Sequence, residues 1–348
     1  MRSVLILFWA LAWTIGYAGS NETNWLVTPV SDYAPHTRIV VVDDPNAVRA
    51  FRVNSEKIRP MLALGLTKLT QKPTETEAWR SLVQSQEVIG IKLFSSPGRL
   101  VGSRPEVVAA VVQSLKESGF PASRIFLWDK YRADLESAGM VALARELGIE
   151  AASSAEEGYD EKVFYENPLL GQLVWGDRDF GSQEADTARK SYVTRLLTRR
   201  ITKIINIAPL LNHNQAGVSG LLYSLALGSV DNVKRFEGHS GRLATAVPEI
   251  MALPEIGDRV VLNIVDALIC QYEGEQRSLL HYSTVLNQIR LGLDPVALDL
   301  LSAREIQNQR RKSGRPPGRI NQELFDNAAL LELGVQDERR LLIEHTTP

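Results

Sequence analysis

Apolar and polar positions follow two different periods along this chain. Short β-branched or apolar runs occur at 39–42, 88–94 and 260–269, and their length and composition are typical of buried strands. Between such runs, apolar residues recur every three or four positions, as they do across 55–70, which is the spacing of an amphipathic helix. Strands that alternate with helices favour a mainly parallel sheet with helices on both faces. We therefore expect an α/β protein.

Several helix starts can be located from polar residues. TETE at 74–77 and SRPE at 103–106 are capping boxes, in which a hydroxyl and a carboxylate satisfy free N–H groups. Asp-Pro pairs at 44–45 and 294–295 place an acceptor before a proline that suits the first helical turn. The first of these pairs predicts a helix over 45–53.

The amino-terminal segment has the composition of a signal peptide. Arg2 precedes an apolar run, 4–15, and small residues at 16–20 fit a cleavage site. The run is short for a membrane span, although an uncleaved anchor is the alternative. We expect 1–20 to be removed, 21–38 to form a tether, and the protein to be exported to the periplasm or the cell exterior. No integral membrane span is expected after cleavage.

The remaining chain divides into a main domain and a tail. Residues 39–304 are expected to form the α/β domain, as one body or two lobes, and 305–348 a linker with a helical tail. Within the domain, 201–236 is expected to begin as a buried strand that is broken at Pro209. The same segment carries His213 and several amides between two apolar runs, so we interpret it as the site-forming segment.

Charge and cysteine content exclude several functions. The formal net charge of −2 and the lack of aromatic residues in the basic run at 310–319 argue against a nucleic-acid partner. A single cysteine, Cys270, excludes an internal disulfide, a cysteine-ligated iron–sulfur cluster and a cysteine-rich zinc site. Cys270 follows an apolar run, so we interpret it as a buried structural thiol.

Charged residues follow the predicted strands. Lys92 lies inside a buried run, where a lysine must reach solvent or an anion. Arg104, Asp129 and Lys130 come after strands, and ligands of parallel sheets lie beyond the carboxyl ends of strands. These side chains therefore predict one rim of a site for a small anion, and solvated surface charges are the alternative.

The order of motifs resembles a known family. VIGIKLF, RIFLWD, KIINIAPLLNHNQAGVSGLLYSLALGS, VLNIVDALICQYEG and LGLDPVALD, in this order, are similar to the bacterial and archaeal family called Domain of Unknown Function 362. The resemblance runs from about residue 38 to 304. Many relatives carry ferredoxin-type iron–sulfur motifs, but one cysteine cannot supply such a cluster. The family name implies no activity.

A second, more distant resemblance concerns chemistry. HNQAGVSG at 213–220 looks like the H-x-x-A-G-x-S-G segment of nickel-pincer lactate racemases. This resemblance implies that Arg104 holds a carboxylate and that His239 binds a metal. Tyr223 stands where those enzymes have the lysine that tethers the cofactor, so a covalently held nickel pincer is not expected. Asp129 and its neighbours stand where a second acid/base histidine should follow the strand.

Two hypotheses follow from these residues. The first is an enzyme, racemase-, epimerase- or oxidoreductase-like, that acts on a small hydroxy acid; the second is a non-catalytic exported protein that binds a small anion. The oligomeric state and any cofactor stay open. The candidate residues are catalytic His213, Lys92 and Asp129; substrate-binding Arg104, Lys130, Asn212, Gly217, Gly220 and Tyr223; and metal-binding His239, Asp266 and Asp299. The alternatives are a surface loop for His239 and structural caps for the two aspartates.

Overall fold

A central sheet organises residues 36–167 and 189–348, which are the residues described by this computed structural model. The strands are β1 (Thr37–Asp43), β2 (Val48–Arg49), β3 (Arg52–Val53), β4 (Ile89–Lys92), β5 (Ile125–Asp129), β6 (Glu150–Ser153), β7 (Tyr159–Glu166), β8 (Lys190–Thr194), β9 (Lys203–His213), β10 (Gly217–Val218), β11 (Val260–Gln271), β12 (Ser283–Gly292) and β13 (Leu341–Thr346). The helices are α1 (Ser55–Thr70), α2 (Glu75–Leu82), α3 (Pro105–Glu117), α4 (Arg132–Ser137), α5 (Met140–Leu147), α6 (Ser154–Glu157), α7 (Leu221–Ser229), α8 (Lys234–Glu237), α9 (Ser240–Met251), α10 (Pro295–Lys312) and α11 (Gln322–Leu330).

The sheet is mainly parallel, as the sequence predicted. Among the described residues its order is β13-β1-β12-β11-β9-β4-β5-β6, with β10 paired to β9. The four pairings from β11 through β9, β4 and β5 to β6 are parallel, whereas β12 is antiparallel to both neighbours. The carboxyl ends of β4, β5 and β9 therefore point to the same edge of the sheet.

Helices cover both faces of the sheet, which confirms the expected architecture. One apolar layer packs α1, α2, α3, α4 and α5 against the sheet, and the other packs α7, α9, α10 and α11. The described residues fall in one compact unit, so the two-lobe arrangement is not seen among them. Within the part of the chain that the structure describes, no helix is long and apolar enough to cross a membrane.

Two of the predicted helix caps form as expected. The Thr74 hydroxyl accepts the N–H of Glu77 at 3.2 Å, and the Asp294 carboxylate accepts the N–H of Ala297 at 2.9 Å. The helix predicted to open at Pro105 forms, as α3, but the capping box at 103–106 does not. The Ser103 hydroxyl instead accepts the N–H of Phe94 and donates to the carbonyl of Ile207, because β4 and β9 pass directly beside it.

The helix predicted over 45–53 is wrong. The Asp44 carboxylate accepts the N–H of Asn46 at 2.9 Å and the Asp44 carbonyl accepts the N–H of Ala47, which closes a turn that does not continue into a helix. Ala50 and Phe51 have positive φ angles of 49° and 59°, so the chain reverses there into the short β2–β3 hairpin.

The break predicted at Pro209 is also wrong, since β9 continues through it to His213. Proline removes a ladder hydrogen bond only where a neighbouring strand would receive it. The pairing of β4 with β9 ends at Asn206, and Pro209 pairs in register with Asp266 of β11 alone. The missing N–H therefore disrupts no second ladder.

The carboxy-terminal tail contains a helix and also a strand. Helix α11 packs against α9, and β13 pairs in parallel with β1, so the last described residues complete one edge of the sheet. The signal peptide predicted at 1–20 and nearly all of the tether at 21–38 lie outside the described residues.

Candidate active site

Lys92 and Asp129 form a buried ion pair at the carboxyl ends of two adjacent strands. The Lys92 side chain is fully buried, and its Nζ lies 2.9 Å from Asp129 Oδ1. The register of β4 with β5 places Lys92 beside Trp128, so Asp129 comes one residue beyond the paired segment. Nζ also lies 5.6 Å from the centre of the Trp128 ring. Of the two alternatives that the sequence allowed for Lys92, solvent or an anion, the structure shows the anion, which is Asp129.

Helix α7 supplies the third member of this cluster. Lys92 Nζ lies 3.0 Å from the Ser224 hydroxyl oxygen and also donates to the carbonyl of Leu93. One helical turn after Ser224, Gly228 leaves room for the lysine, because a Cβ at Gly228 would overlap Lys92 Cε. Two small residues four positions apart thus let α7 pack directly against a buried ammonium group.

Asp129 is held by more donors than the lysine alone. Its Oδ2 accepts the backbone N–H of Ser95 at 2.7 Å and the Ser95 hydroxyl at 2.6 Å. Its Oδ1 accepts the N–H of Lys130 at 2.8 Å in addition to the lysine. A carboxylate with four donors is fixed in position and has little capacity left to act as a base.

A cleft of about 210 Å³ opens beside this cluster. Ser224 and Asp129 reach its lining, whereas Lys92 lies behind them. The remaining polar lining residues are Ser96, Lys130, Tyr131, Asp134, Tyr223, Lys234, Glu237 and Gln276, and the apolar ones include Phe94, Leu227 and Val233. Ser224 and Asp129 therefore connect the buried lysine with the cleft.

Burial changes the proton affinities of the cluster. It lowers the pKa of Lys92, and the charge and hydrogen bond of Asp129 oppose that shift. Burial also raises the pKa of Asp134, with a further contribution from the negative charge of Asp129. Perturbed proton affinities beside a cleft are typical of functional sites, although buried ion pairs can also be structural.

His213 lies behind Tyr223 and does not line the cleft. Its ring centre lies 4.4 Å from that of Tyr223. The Nδ1 atom accepts backbone N–H groups from Gln215 at 3.2 Å and Ala216 at 3.0 Å, so the neutral ring carries its proton on Nε2. Burial lowers the pKa of His213, and the charge of Glu275 partly offsets this. The ring is thus a hydrogen-bond donor through Nε2.

Tyr223 forms one wall of the cleft. Its hydroxyl donates to Glu237 Oε1 over a long 3.4 Å, and its ring meets Phe94 edge-on at 6.3 Å between centres. Burial, followed by the charge and hydrogen bond of Glu237, raises the pKa of Tyr223 well above its ordinary value. The phenol therefore stays neutral and can donate a hydrogen bond.

Arg104 is occupied elsewhere. Its Nη1 lies 2.8 Å from Asp266 Oδ1, and both side chains are buried. Neither residue lines the cleft. The structure thus places Asp129, Lys130 and Tyr223 in the lining of one cleft with Lys92 buried behind Asp129, and it places Arg104 in a separate ion pair.

The glycines and amides of the central segment shape the loop after β9. Gly217 has a φ of +90°, in the left-handed region that glycine tolerates, and a Cβ there would lie 3.2 Å from the Arg319 carbonyl. The side-chain Oδ1 of Asn212 accepts the N–H of Glu275 at 3.0 Å. These residues fix the loop to neighbouring segments and do not line the cleft.

The three metal candidates do not converge. His239 is exposed at the start of α9, Asp266 pairs with Arg104, and Asp299 accepts the N–H groups of Leu221 and Leu222. In 36–167 and 189–348 no three histidine, cysteine or carboxylate side chains are placed to hold one metal ion.

The residues present also do not fit a covalently held nickel pincer. Tyr223 cannot form the amide made by the tether lysine. The Nδ1 lone pair of His213 is already engaged by two backbone N–H groups.

Ser224 is the site residue that the sequence did not reveal. It stands inside the apolar run LLYSLALGS, where a lone serine is an ordinary helix residue. Its spacing of four from Gly228 is the signal that was available, because small residues at that spacing share one helix face. The reason for two small residues on that face is Lys92, which comes from a distant part of the chain and packs against them.

Comparison with known proteins identifies a family and no activity. Comparison with the curated proteins gave no match. Among solved structures, the crystal structure of a Thermotoga maritima protein is 13% identical, with a TM-score of 0.41 over 77% of this chain and 61% of that protein. The chain thus spans less than two thirds of that protein's length. The family model described as Domain of unknown function (DUF362) matches residues 89–304, so the chain belongs to that family, as its motifs indicated.

Proposed function

We propose that the protein is exported and binds a small hydroxy acid, or a similar small molecule with an oxyanion, in the cleft beside Ser224. One observation carries the proposal. Ser224 lines the cleft, and its hydroxyl oxygen lies 3.0 Å from the ammonium group of the fully buried Lys92.

The hydrogen bonds of Lys92 explain why the Ser224 hydroxyl can donate strongly to a ligand. An ammonium group has three hydrogens, and Asp129, Leu93 and Ser224 provide three acceptors. Because the serine oxygen accepts from a cation, its own hydrogen is more strongly polarised and remains available to an acceptor in the cleft. A carboxylate or carbonyl oxygen of a ligand is the natural acceptor.

The cleft lining fits a ligand with both acidic and hydroxyl groups. Lys130 and Lys234 provide positive charge at the lining, which favours a carboxylate. Asp134 and Glu237 provide acceptors for hydroxyl groups, and a volume of about 210 Å³ suits a ligand of few heavy atoms.

A second candidate function is proton transfer on the same ligand. The lowered pKa of Lys92 favours it, because a lysine that more readily loses its proton can act as a base. Lys92 does not line the cleft, so this route starts from neutral Lys92, whose lone pair accepts the hydrogen of the Ser224 hydroxyl. A proton would then pass from the substrate to the Ser224 oxygen while the Ser224 hydrogen passes to Lys92, which becomes an ammonium group. His213 is less suited to this task, since its lone pair is engaged by backbone N–H groups.

Calorimetric binding of a panel of small hydroxy acids tests the proposal. We expect Ser224→Ala to weaken binding at least about ten-fold, which is the value of one charge-assisted hydrogen bond. Ser229→Ala is the matched control, because Ser229 is buried on the same helix but does not line the cleft. Equal binding by the wild type and Ser224→Ala would disprove the role of this hydroxyl.

Export and catalysis have separate tests. Fractionation of cells that express the full chain, with mass spectrometry of the mature amino terminus, tests removal of 1–20. Deuterium exchange at the α-carbon of a bound hydroxy acid tests proton transfer. Binding without exchange would favour the non-catalytic function.

A further inference from the structure

Three surface segments beside the cleft are tied together. Loop 95–102 meets loop 272–282 where the Ser96 hydroxyl donates to Gln276 Oε1 at 2.9 Å. The segment 310–319 also meets loop 272–282, since Arg310 Nη1 donates to the Tyr272 carbonyl at 3.2 Å. We call these three segments together the basic face.

The basic face carries a strong local charge. Its cations are Arg99, Arg277, Arg310, Arg311, Lys312, Arg315 and Arg319, and its carboxylates are Glu273 and Glu275. All of these cations except Arg310 are exposed. The whole chain has a formal net charge of −2, so the excess of positive charge here is a local feature and not a property of the composition.

Internal pairing neutralises only a small part of this charge. Glu273 lies 3.5 Å from Arg310 and 3.7 Å from Arg315, so one carboxylate serves two arginines. Glu275 accepts the N–H of Asn214 at 2.8 Å and is directed toward the loop after β9. The face therefore keeps a positive field directed toward solvent.

Two exposed leucines lie close to these cations along the chain. Leu100 is 70% exposed beside Arg99, and Leu280 is 62% exposed three residues after Arg277. Tyr282 lies in the same loop under the Arg315 guanidinium, 4.6 Å from ring centre to Cζ. A soluble polyanion would interact with the cations, and the two exposed leucines would add nothing to its binding free energy.

We propose that the basic face docks the protein on an anionic lipid bilayer. The cations meet the lipid phosphates, and Leu100 and Leu280 enter the boundary between headgroups and acyl chains. This combination of basic and apolar side chains is the pattern of a surface that lies on a membrane without crossing it. Ser96 and Gln276 belong to both the basic face and the cleft lining, so the cleft opens beside the bilayer.

Flotation with lipid vesicles tests the proposal on the full-length chain. We expect binding to vesicles of phosphatidylglycerol and phosphatidylcholine, no binding to phosphatidylcholine alone, and release at high salt. Lys312→Glu, Arg315→Glu and Arg319→Glu together should weaken binding by a factor of roughly 100, since each basic residue contributes about a factor of five. Leu280→Glu alone should weaken it roughly ten-fold.

Matched variants separate docking from general charge. Lys72→Glu, Arg80→Glu and Arg145→Glu together make the same change in net charge at exposed positions outside the basic face, and Leu330→Glu changes a leucine that is 79% exposed elsewhere. Both controls should bind vesicles nearly as the wild type does. Equal loss in the control variants would overturn the proposal. A second result would also overturn it: the protein binds soluble polyphosphate but not vesicles, and Leu280→Glu leaves the polyphosphate binding unchanged.

Discussion

Gly220 lies directly against the carboxylate of Asp299, so that any Cβ at position 220 would overlap it. This closeness lets Asp299 accept the N–H groups of Leu221 at 2.8 Å and Leu222 at 2.9 Å. Those N–H groups begin α7 and would otherwise have no partner within the helix. Since α7 carries Ser224, a carboxylate on α10 sets the position of the hydroxyl in the cleft.

Gly220→Ala should therefore destabilise the protein. The added methyl group must displace a buried carboxylate that two backbone groups hold, and overpacking of this kind costs about 1–3 kcal/mol. The free energy of unfolding from urea titration measures the effect. Gly238→Ala is the control, because a Cβ there meets no atom within 4 Å. Equal stability of the two variants would show that α7 adapts freely to the change.

The burial of Asp299 predicts a pH dependence of stability. Burial raises the pKa of Asp299 to about 7, against 3.8 for the ordinary carboxyl group, and the two backbone N–H groups only partly oppose this. The folded state then binds the proton more tightly than the unfolded state does, so this contribution is fully present below about pH 4 and is lost as pH rises through about 7.

Asp299→Asn should remove that contribution. The difference in the free energy of unfolding between wild type and Asp299→Asn is expected to fall as pH rises from 4 to 7 and then to level off. Urea titrations at intervals across this range measure it, and Asp258→Asn on the exposed surface is the control. A difference that stays constant with pH would contradict the raised pKa.

The sequence was informative where chemistry and position lay close together along the chain. The Asp294 cap depends on residues three positions apart, and the order of strands and helices follows from local periodicity. The sequence also indicated a partner for Lys92, because the ammonium group of a lysine in a buried run must either reach solvent or pair with an anion. Asp299, in the second turn of α10, required an explanation beyond capping its own helix.

The partners of these charges could not be predicted, because they depend on contacts between distant segments. Arg104 was expected at the site, but it pairs with Asp266, 162 positions away. Ser224 reaches Lys92 across 132 positions. Local patterns set which side chains need a partner, whereas the packing of α7 and the order of the sheet decide which partner each one receives.

The Lys92–Asp129 pair should show strong energetic coupling. Lys92→Met leaves a buried carboxylate without its cation, which typically costs about 3–5 kcal/mol of stability. Lys92→Met combined with Asp129→Asn should cost clearly less than the sum of the two single changes, because the second change removes the unpaired charge. A double-mutant cycle of unfolding free energies measures this coupling.

An exposed pair provides the comparison for this cycle. Arg132 and Glu136 lie 3.2 Å apart on one face of α4, where a pair of this spacing contributes about 0.3–0.5 kcal/mol. The same cycle applied to them should give a far smaller coupling. If the two pairs have equal coupling energies, the buried ion pair contributes no more to stability than an exposed one.

His213 should titrate below the ordinary histidine value of 6.5, with its neutral proton on Nε2. Burial lowers the pKa, and the negative charge of Glu275 raises it in part. Glu275→Gln should therefore lower the pKa of His213 further.

Nitrogen-15 NMR of the imidazole through a pH titration reports both the pKa and the tautomer. Glu273→Gln is the control, since Glu273 pairs with Arg310 and should leave the titration of His213 unchanged. If the neutral ring instead carries its proton on Nδ1, that atom cannot accept the two N–H groups of the loop after β9. The lone pair would then be on Nε2, and His213 would again be a candidate base.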